Sequence, residues 1–338
     1  MRSIFAPPFM LNEDDPKRVD AYLKSVAFYA DGEKLERVSL AGDGNMNVVL
    51  RAETNTRSFI IKQSRPWVNK YPDVDAPADR IFQENLFYEI VRQNEELREY
   101  TPEVYLFDPA NYILCMQDFG DASDFTDIYR KGHQLTKSEM ADVSKTISAL
   151  HFNLKDILEE NRIENKALRT LNHQHIFVLP LDESNGFDLN LVMPGLHDKT
   201  ANFRKDPDLK KMAKELGELY LNGKGSKLLH GDYYPGSWLR TTDGVKMIDP
   251  EFCFTGTAEF ELGVTMAHLK MAQQPDSLMK DLFVYYHFDE KFDGSLFSKF
   301  AGMEIIRRII GLAQLPLELS LAERLSLLDE AYELVITG

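Results

Sequence analysis

Residues 227–252 read KLLHGDYYPGSWLRTTDGVKMIDPEF. A short apolar run delivers His230, Gly231 and Asp232 to a loop, the Pro235-Gly236 turn follows, and Ser237 comes next. A second turn at Thr242-Asp243-Gly244 opens VKMID, which carries Asp249 at its end. The pattern predicts a strand pair whose ends present two carboxylates. Phosphoryl transfer uses such a pair: one carboxylate takes the proton of a substrate hydroxyl, and the other holds a divalent cation on the phosphates. Either aspartate alone could be a turn cap. The two together, in this order and spacing, point to chemistry.

Working back from this segment, the first third of the chain is β-rich. VSLAGDGNMNVVLRAE (38–53) holds two β-type runs around a turn at Gly42, Asp43, Gly44 and Asn45. Exposed N–H groups in such a turn can face phosphate oxygens, although an ordinary hairpin has the same look. TRSFIIKQS (56–64) is a strand rich in aromatic and β-branched residues. It carries Lys62, whose stem can be buried while its cationic tip meets phosphate; a surface lysine is the alternative. Three prolines, Pro66, Pro72 and Pro77, predict a loop over 66–79. DRIFQENLFYEIVRQNEEL (79–97) is an amphipathic helix with Asp79 as N-cap, and it carries Glu84, either a partner for Lys62 or a solvated side chain. VYLFDPANYILCMQDF (104–119) reads as two strands turning at Asp108-Pro109 and running into Met116, Gln117 and Asp118. There a connector between two lobes, or an ordinary loop, is expected.

Beyond residue 120 long helical patterns take over. A helix is also expected over 17–30. Thr136 and Glu139 form a possible capping box, and further helices are expected over 206–222, 261–286, 296–315 and 317–336. The outline is an α+β chain with a β-rich unit, 1–116, and a larger helical unit, 117–338. With 338 residues, two units are the natural division. Hydrophobic residues make up 43% and the formal net charge is −15, which argues against a nucleic-acid or anionic-membrane partner. Cys115 and Cys253 lie in apolar contexts and read as buried thiols, with a single disulfide as the lesser alternative. No leader pattern and no bilayer-spanning run is seen, which predicts a cytoplasmic protein. His173 and His175 lack a third ligand nearby, so a metal role is not expected. His151 is expected to pack within a helix, and His230 to shape the loop before Asp232.

HGD-x-x-PG-S followed by IDPEF resembles the aminoglycoside phosphotransferase/choline kinase superfamily, and within it the methylthioribose kinase family. GDGNMNVVLRA resembles that family's glycine-rich loop, IIKQSRPWV its lysine strand, IDPEF its metal-binding motif, and EIIRRIIG its twin-arginine helix. The resemblance implies a two-lobed protein-kinase-like fold, ATP and Mg²⁺ as cofactors, and a small-molecule hydroxyl acceptor, best matched by the anomeric hydroxyl of methylthioribose. It implies Asp232 as catalytic base at the acceptor, Asp249 and Glu251 as metal ligands, and Lys62 on the ATP phosphates with Glu84 as its partner. Gly42, Asp43, Gly44 and Asn45 would cover the phosphates, and the backbone of Met116, Gln117 and Asp118 would hold adenine. Arg307 and Arg308 would contact the acceptor; a structural ion pair is their other reading. A choline- or aminoglycoside-type kinase and a nucleotide-binding pseudoenzyme are the rival functions, and a homodimer is left open. Two departures bear on the acceptor: HGDYYPGS replaces the family's usual HGDLHTGS, and the stretch between Asp249 and Arg307 is shorter.

Overall fold

The computed structural model describes residues 9–42 and 46–338. Asp43, Gly44 and Asn45 of the expected phosphate loop therefore lie outside the described residues. The chain divides into two compact units, one of residues 1–122 with 248–251 and one of 123–247 with 252–338. The boundary thus falls beyond the expected 116. Gln117 still pairs with Phe59 in the sheet, and Asp118 is bound by Arg51, so the connector residues stay with the first unit.

The first unit is built on a five-stranded antiparallel sheet. Its spatial order is Leu35–Leu40, Val48–Thr54, Ser58–Gln63, Ile113–Gln117 and Val104–Asp108. Alternation buries Val48, Leu50 and Ala52 on one strand against Phe59 and Ile61 on the next. Helix Pro16–Ser25 covers this face with Val19, Tyr22 and Leu23. It opens on Asp15, whose side chain accepts from the Arg18 amide. The predicted long helix over 79–97 is two helices, Arg80–Val91 and Glu95–Arg98, because Asn94 breaks out to cap the second through the Leu97 amide. The proline-marked loop contains a small hairpin, Trp67–Val68 with Tyr71–Asp75; the turn between them leaves Pro72 in a two-stranded ribbon that demands few ladder bonds.

The second unit is helical. Lys137–Phe152 starts on the predicted Thr136/Glu139 capping box, and Leu321–Ile336 on a second box, Ser320/Glu323. Ala258–Met271 and Gly294–Ile310 are its central helices, each buried over much of its surface. The single helix expected over 261–286 ends at Met271, where Ala272 caps it and left-handed Gln273 (φ 51°) turns the chain, and Pro275 then precedes a separate helix, Asp276–Tyr285. Two short ribbons frame the decisive segment: Lys227–Leu229 pairs with Phe254–Gly256, and Trp238–Thr241 lies between Gly244–Met247 and Ser123–Asp124. Both cysteines are buried free thiols. No helix among the described residues is long and apolar enough to cross a membrane.

Phe59 is fully buried at the centre of the first sheet, with Phe28 tilted against it at 4.6 Å. Phe59→Ala should cost about 3–5 kcal/mol, read as a lower urea midpoint. A loss under about 1 kcal/mol would show that this core is not as packed as described.

Candidate active site

Lys62 sits in the middle strand of the first sheet, opposite Val49 and Leu114. Its side chain is 2% exposed, and its ammonium lies 2.7 Å from Glu84 and 2.8 Å from Asp249. Burial works against the charged form, but Asp249, Glu84 and Glu251 outweigh it and hold Lys62 firmly protonated. Asp249 contrasts with its partner: its side chain is 53% exposed. Its backbone is left-handed, at φ 61°, an uncommon state for a residue with a side chain. Pro250 and Glu251 follow in a single 3₁₀ turn.

A second buried cation, missed in the sequence, stands beside this group. Arg80 heads the helix that carries Glu84 and lies 3.2 Å from Glu251. It donates to the carbonyls of Met46, Arg65 and Pro77 and to Asn47 Oδ1. Asn47 in turn donates to Glu251 Oε2 at 2.8 Å. Arg80 thus ties Met46 and Asn47, on the far side of the glycine-rich turn, to IDPEF. Nothing in DRIFQEN distinguished Arg80 from a surface arginine, because its partners are distant in sequence.

The expected adenine-binding backbone is partly committed. The Gln117 amide donates to Glu103 O at 2.8 Å, so it is not free to meet a base. The Asp118 carboxylate accepts from Arg51 at 2.9 Å and from the Gly120 amide at 3.1 Å, which braces the connector.

In the second unit, Gly231 has φ 85°, and a Cβ there would lie 2.1 Å from Phe252 O, so only glycine fits. The amides of His230 and Gly231 donate to the fully buried Glu261 carboxylate at 2.9 and 2.7 Å. His151 Nε2 meets the same carboxylate at 3.0 Å. Ser237 closes the loop: its hydroxyl lies 3.0 Å from Asp232 O and accepts from the Tyr234 amide at 3.0 Å. His230 is buried, and the Asp232 amide reaches its ring at 3.4 Å, consistent with a shaping role. Glu261 was missed, since a glutamate on a helix ordinarily faces solvent.

The loop presents Asp232 to the twin arginines. Arg308 donates to its carboxylate at 3.2 Å, and Arg307 lies 3.8 Å away. Both arginines also bond Glu304, one turn earlier on the same helix. Arginines on neighbouring residues point about 100° apart, so a shared carboxylate is what brings them to one place. His173 is not drawn into this group, whereas His175 is close enough that, after burial, the charges of Arg307 and Arg308 also disfavour its protonation. Among the described residues no three or more His, Cys, Asp or Glu side chains converge as a metal cage.

No protein-family model matches the chain. Among curated proteins it is similar to methylthioribose kinase 1 of Oryza sativa subsp. japonica, 28% identical over 279 residues that cover 76% of this chain and 62% of that protein. It is similar to the methylthioribose kinase of Escherichia coli O45:K1 at 26% identity over 258 residues, covering 70% and 58%. These matches span about three-fifths of the length of the curated relatives. A solved choline kinase from Streptococcus pneumoniae superposes with a TM-score of 0.56 at 12% identity, covering 96% of this chain and all of that one. The chain therefore has the two-lobed, protein-kinase-like α+β fold found in choline kinase. Within that fold its sequence relatives are methylthioribose kinases.

Removing Lys62 should strand Glu84. Lys62→Met is expected to lose about 3–5 kcal/mol of stability where Glu84 is charged in the wild type, and Lys62→Met/Glu84→Gln clearly less. Burial raises the Glu84 carboxyl to about 7 against the opposition of Lys62, so without the lysine the folded value rises further. The folded variant then keeps a proton to higher pH than the folded wild type. The pH-dependent part of the Lys62→Met deficit should be absent at acid pH, where both folded proteins keep that proton, and should open as pH rises past about 7 towards the variant's folded value. Urea melts across pH check this; a pH-independent deficit would contradict it.

Proposed function

We propose that this chain is an ATP-dependent small-molecule kinase that phosphorylates a hydroxyl of a pentose-like acceptor, with 5-methylthioribose the best match. The observation that carries the reading is the Asp232 carboxylate on its glycine-dependent loop, with Arg308 and Arg307 beside it. A carboxylate held among fixed guanidinium donors suits a polyhydroxyl acceptor: the arginines bind oxygen atoms while the aspartate binds the hydroxyl that reacts. Similarity to methylthioribose kinases supports the same acceptor class.

On the nucleotide side, Lys62 is a charged donor for the phosphates, kept extended by Glu84. Gly42, with Asp43, Gly44 and Asn45 on sequence grounds, would cover them. Met116 and the residues about Asp118 would border the adenine. The donor chemistry at IDPEF fits Mg²⁺, which takes one or two carboxylates and completes its shell with water and phosphate oxygens. Asp249 offers a half-exposed carboxylate, and Glu251 stands two residues on with Oε2 anchored by Asn47 and Arg80. When bound there, the ion would neutralise phosphate charge. Asp232 would orient the acceptor hydroxyl and receive its proton as that oxygen bonds to the γ-phosphorus of ATP and the bond from this phosphorus to the β,γ-bridging oxygen breaks, with ADP leaving. A cytoplasmic location fits a metabolite acceptor. A cationic acceptor such as choline is disfavoured, since guanidinium groups would repel it.

The test is turnover of ATP with a panel of hydroxyl acceptors. Methylthioribose or another neutral pentose should be phosphorylated, and a quaternary ammonium alcohol should not. Asp232→Asn should lower kcat by roughly 10²-fold or more while nucleotide binding persists. Turnover near wild type in that variant removes Asp232 from the mechanism, and ATP binding with no acceptor turned over by the wild type would favour a pseudoenzyme.

Arg307→Ala and Arg308→Ala should each raise the acceptor KM by roughly tenfold or more and leave the ATP KM little changed. Folded variants with an unchanged acceptor KM would make the pair structural.

A further inference from the structure

Behind the twin arginines runs a buried line of side chains that the proposed chemistry does not use. Glu304 is 1% exposed. Its Oε2 accepts from Arg307 at 3.0 Å, and its Oε1 accepts from Arg308 Nε at 2.6 Å. His268, on the neighbouring helix, brings Nε2 to 3.2 Å of the same Oε1. The other ring nitrogen, Nδ1, lies 2.6 Å from the Tyr129 hydroxyl. These bonds fix the direction of every proton. Nε2 faces a carboxylate and must donate, so Nδ1 accepts and Tyr129 donates to it. Burial pushes His268 down to about 4, so the ring is neutral and this tautomer suffices. Burial would raise the Glu304 carboxyl, but Arg307, Arg308 and His268 overcome it and keep it charged.

The charge balance follows. Two guanidinium groups face two carboxylates, Glu304 behind and Asp232 in front. The Arg308 guanidinium also lies 5.1 Å from the centre of the Tyr234 ring, a residue where this chain departs from HGDLHTGS. Without Glu304, both arginines would have Asp232 as their shared carboxylate. They would be drawn onto it, and the site would carry excess positive charge. With Glu304, Arg307 Nη1 and Arg308 Nε are committed to it while Arg308 still reaches Asp232 at 3.2 Å, so the pair is fixed between two carboxylates with no surplus charge to attract an anion.

We infer that Glu304, locked by His268 and Tyr129, is a positioning residue that sets the angle of the arginine pair and cancels its charge, so that the site selects a neutral polyol over an anionic sugar derivative. This rests on the kinase reading given above.

The experiment compares methylthioribose with its 5-S-carboxymethyl counterpart, which adds one negative charge, in wild type, Glu304→Gln, Glu304→Asp and Tyr129→Phe. Acceptor KM, ATP KM and melting temperature are measured for each. Glu304→Gln keeps the shape and removes the charge. It should raise the KM for methylthioribose by about tenfold or more, shrink the preference over the carboxylated compound by a similar factor, and leave the ATP KM within about twofold. Glu304→Asp should recover part of that preference. Tyr129→Phe removes one hydroxyl from the line, and it should raise the acceptor KM by about threefold or more with ATP unaffected. A folded Glu304→Gln with wild-type preference overturns the inference. If Glu304→Gln does not fold, a wild-type acceptor KM in Tyr129→Phe overturns it as well. A wild type that phosphorylates no neutral acceptor overturns the kinase reading, and this inference falls with it; a wild type that does so, with variants unaffected, overturns this inference alone.

Discussion

A lysine ammonium buried to 2% exposure cannot stand without opposite charge, and the first unit is arranged around meeting that demand. Glu84 comes to Lys62 from the helix Arg80–Val91, and Asp249 comes from a segment more than 180 residues further along the chain. This contact helps explain why residues 248–251 cluster with the first unit although their neighbours on both sides belong to the second. Arg80 repeats the device: a buried guanidinium bonded to Glu251, Asn47 and three backbone carbonyls. Two buried cations thus fix the strand, the helix and the IDPEF turn to one another. Of the described carboxylates in ion-pair contact with these two cations, Glu84 and Glu251 are buried and Asp249 is left broadly open to solvent.

The second unit applies the same logic around Asp232. Glu261 holds the amides of the HGD loop, Ser237 closes that loop, and Glu304 holds the arginines. In each case a buried carboxylate or hydroxyl sets the direction of a group near Asp232. Such preorganisation lowers the cost of ordering a reacting group at the moment of reaction.

Much of this was legible because it is local. Alternation gave the strands around Lys62, Thr136 and Glu139 announced their helix, and HGD followed by IDPEF placed two aspartates at strand ends. What escaped the reading depends on partners far apart in sequence. Glu261 is 31 residues from the amide of His230 it accepts from, and Arg80 gives no local sign of its burial. Glu304 could have been found: it precedes the arginines by three and four residues, the spacing at which charged side chains meet on a helix. The missed helix breaks, at Asn94 and at Gln273, are cases where one capping or left-handed residue overrides a longer periodic pattern. Gln117 and Asp118 are likewise tied to the first sheet by partners distant in sequence, Phe59 and Arg51.

On the proposed reading, the carboxylates around Lys62 form a metal-assisted grip on a nucleotide and are not merely a buried ion pair. Calorimetric titration of ATP into wild type and Asp249→Asn, each with and without Mg²⁺, separates the two. Wild type should bind tightly in a way that depends on Mg²⁺, and Asp249→Asn should stay folded but lose the Mg²⁺-dependent gain. ATP binding that is the same in both proteins, or that ignores Mg²⁺ in the wild type, would contradict it.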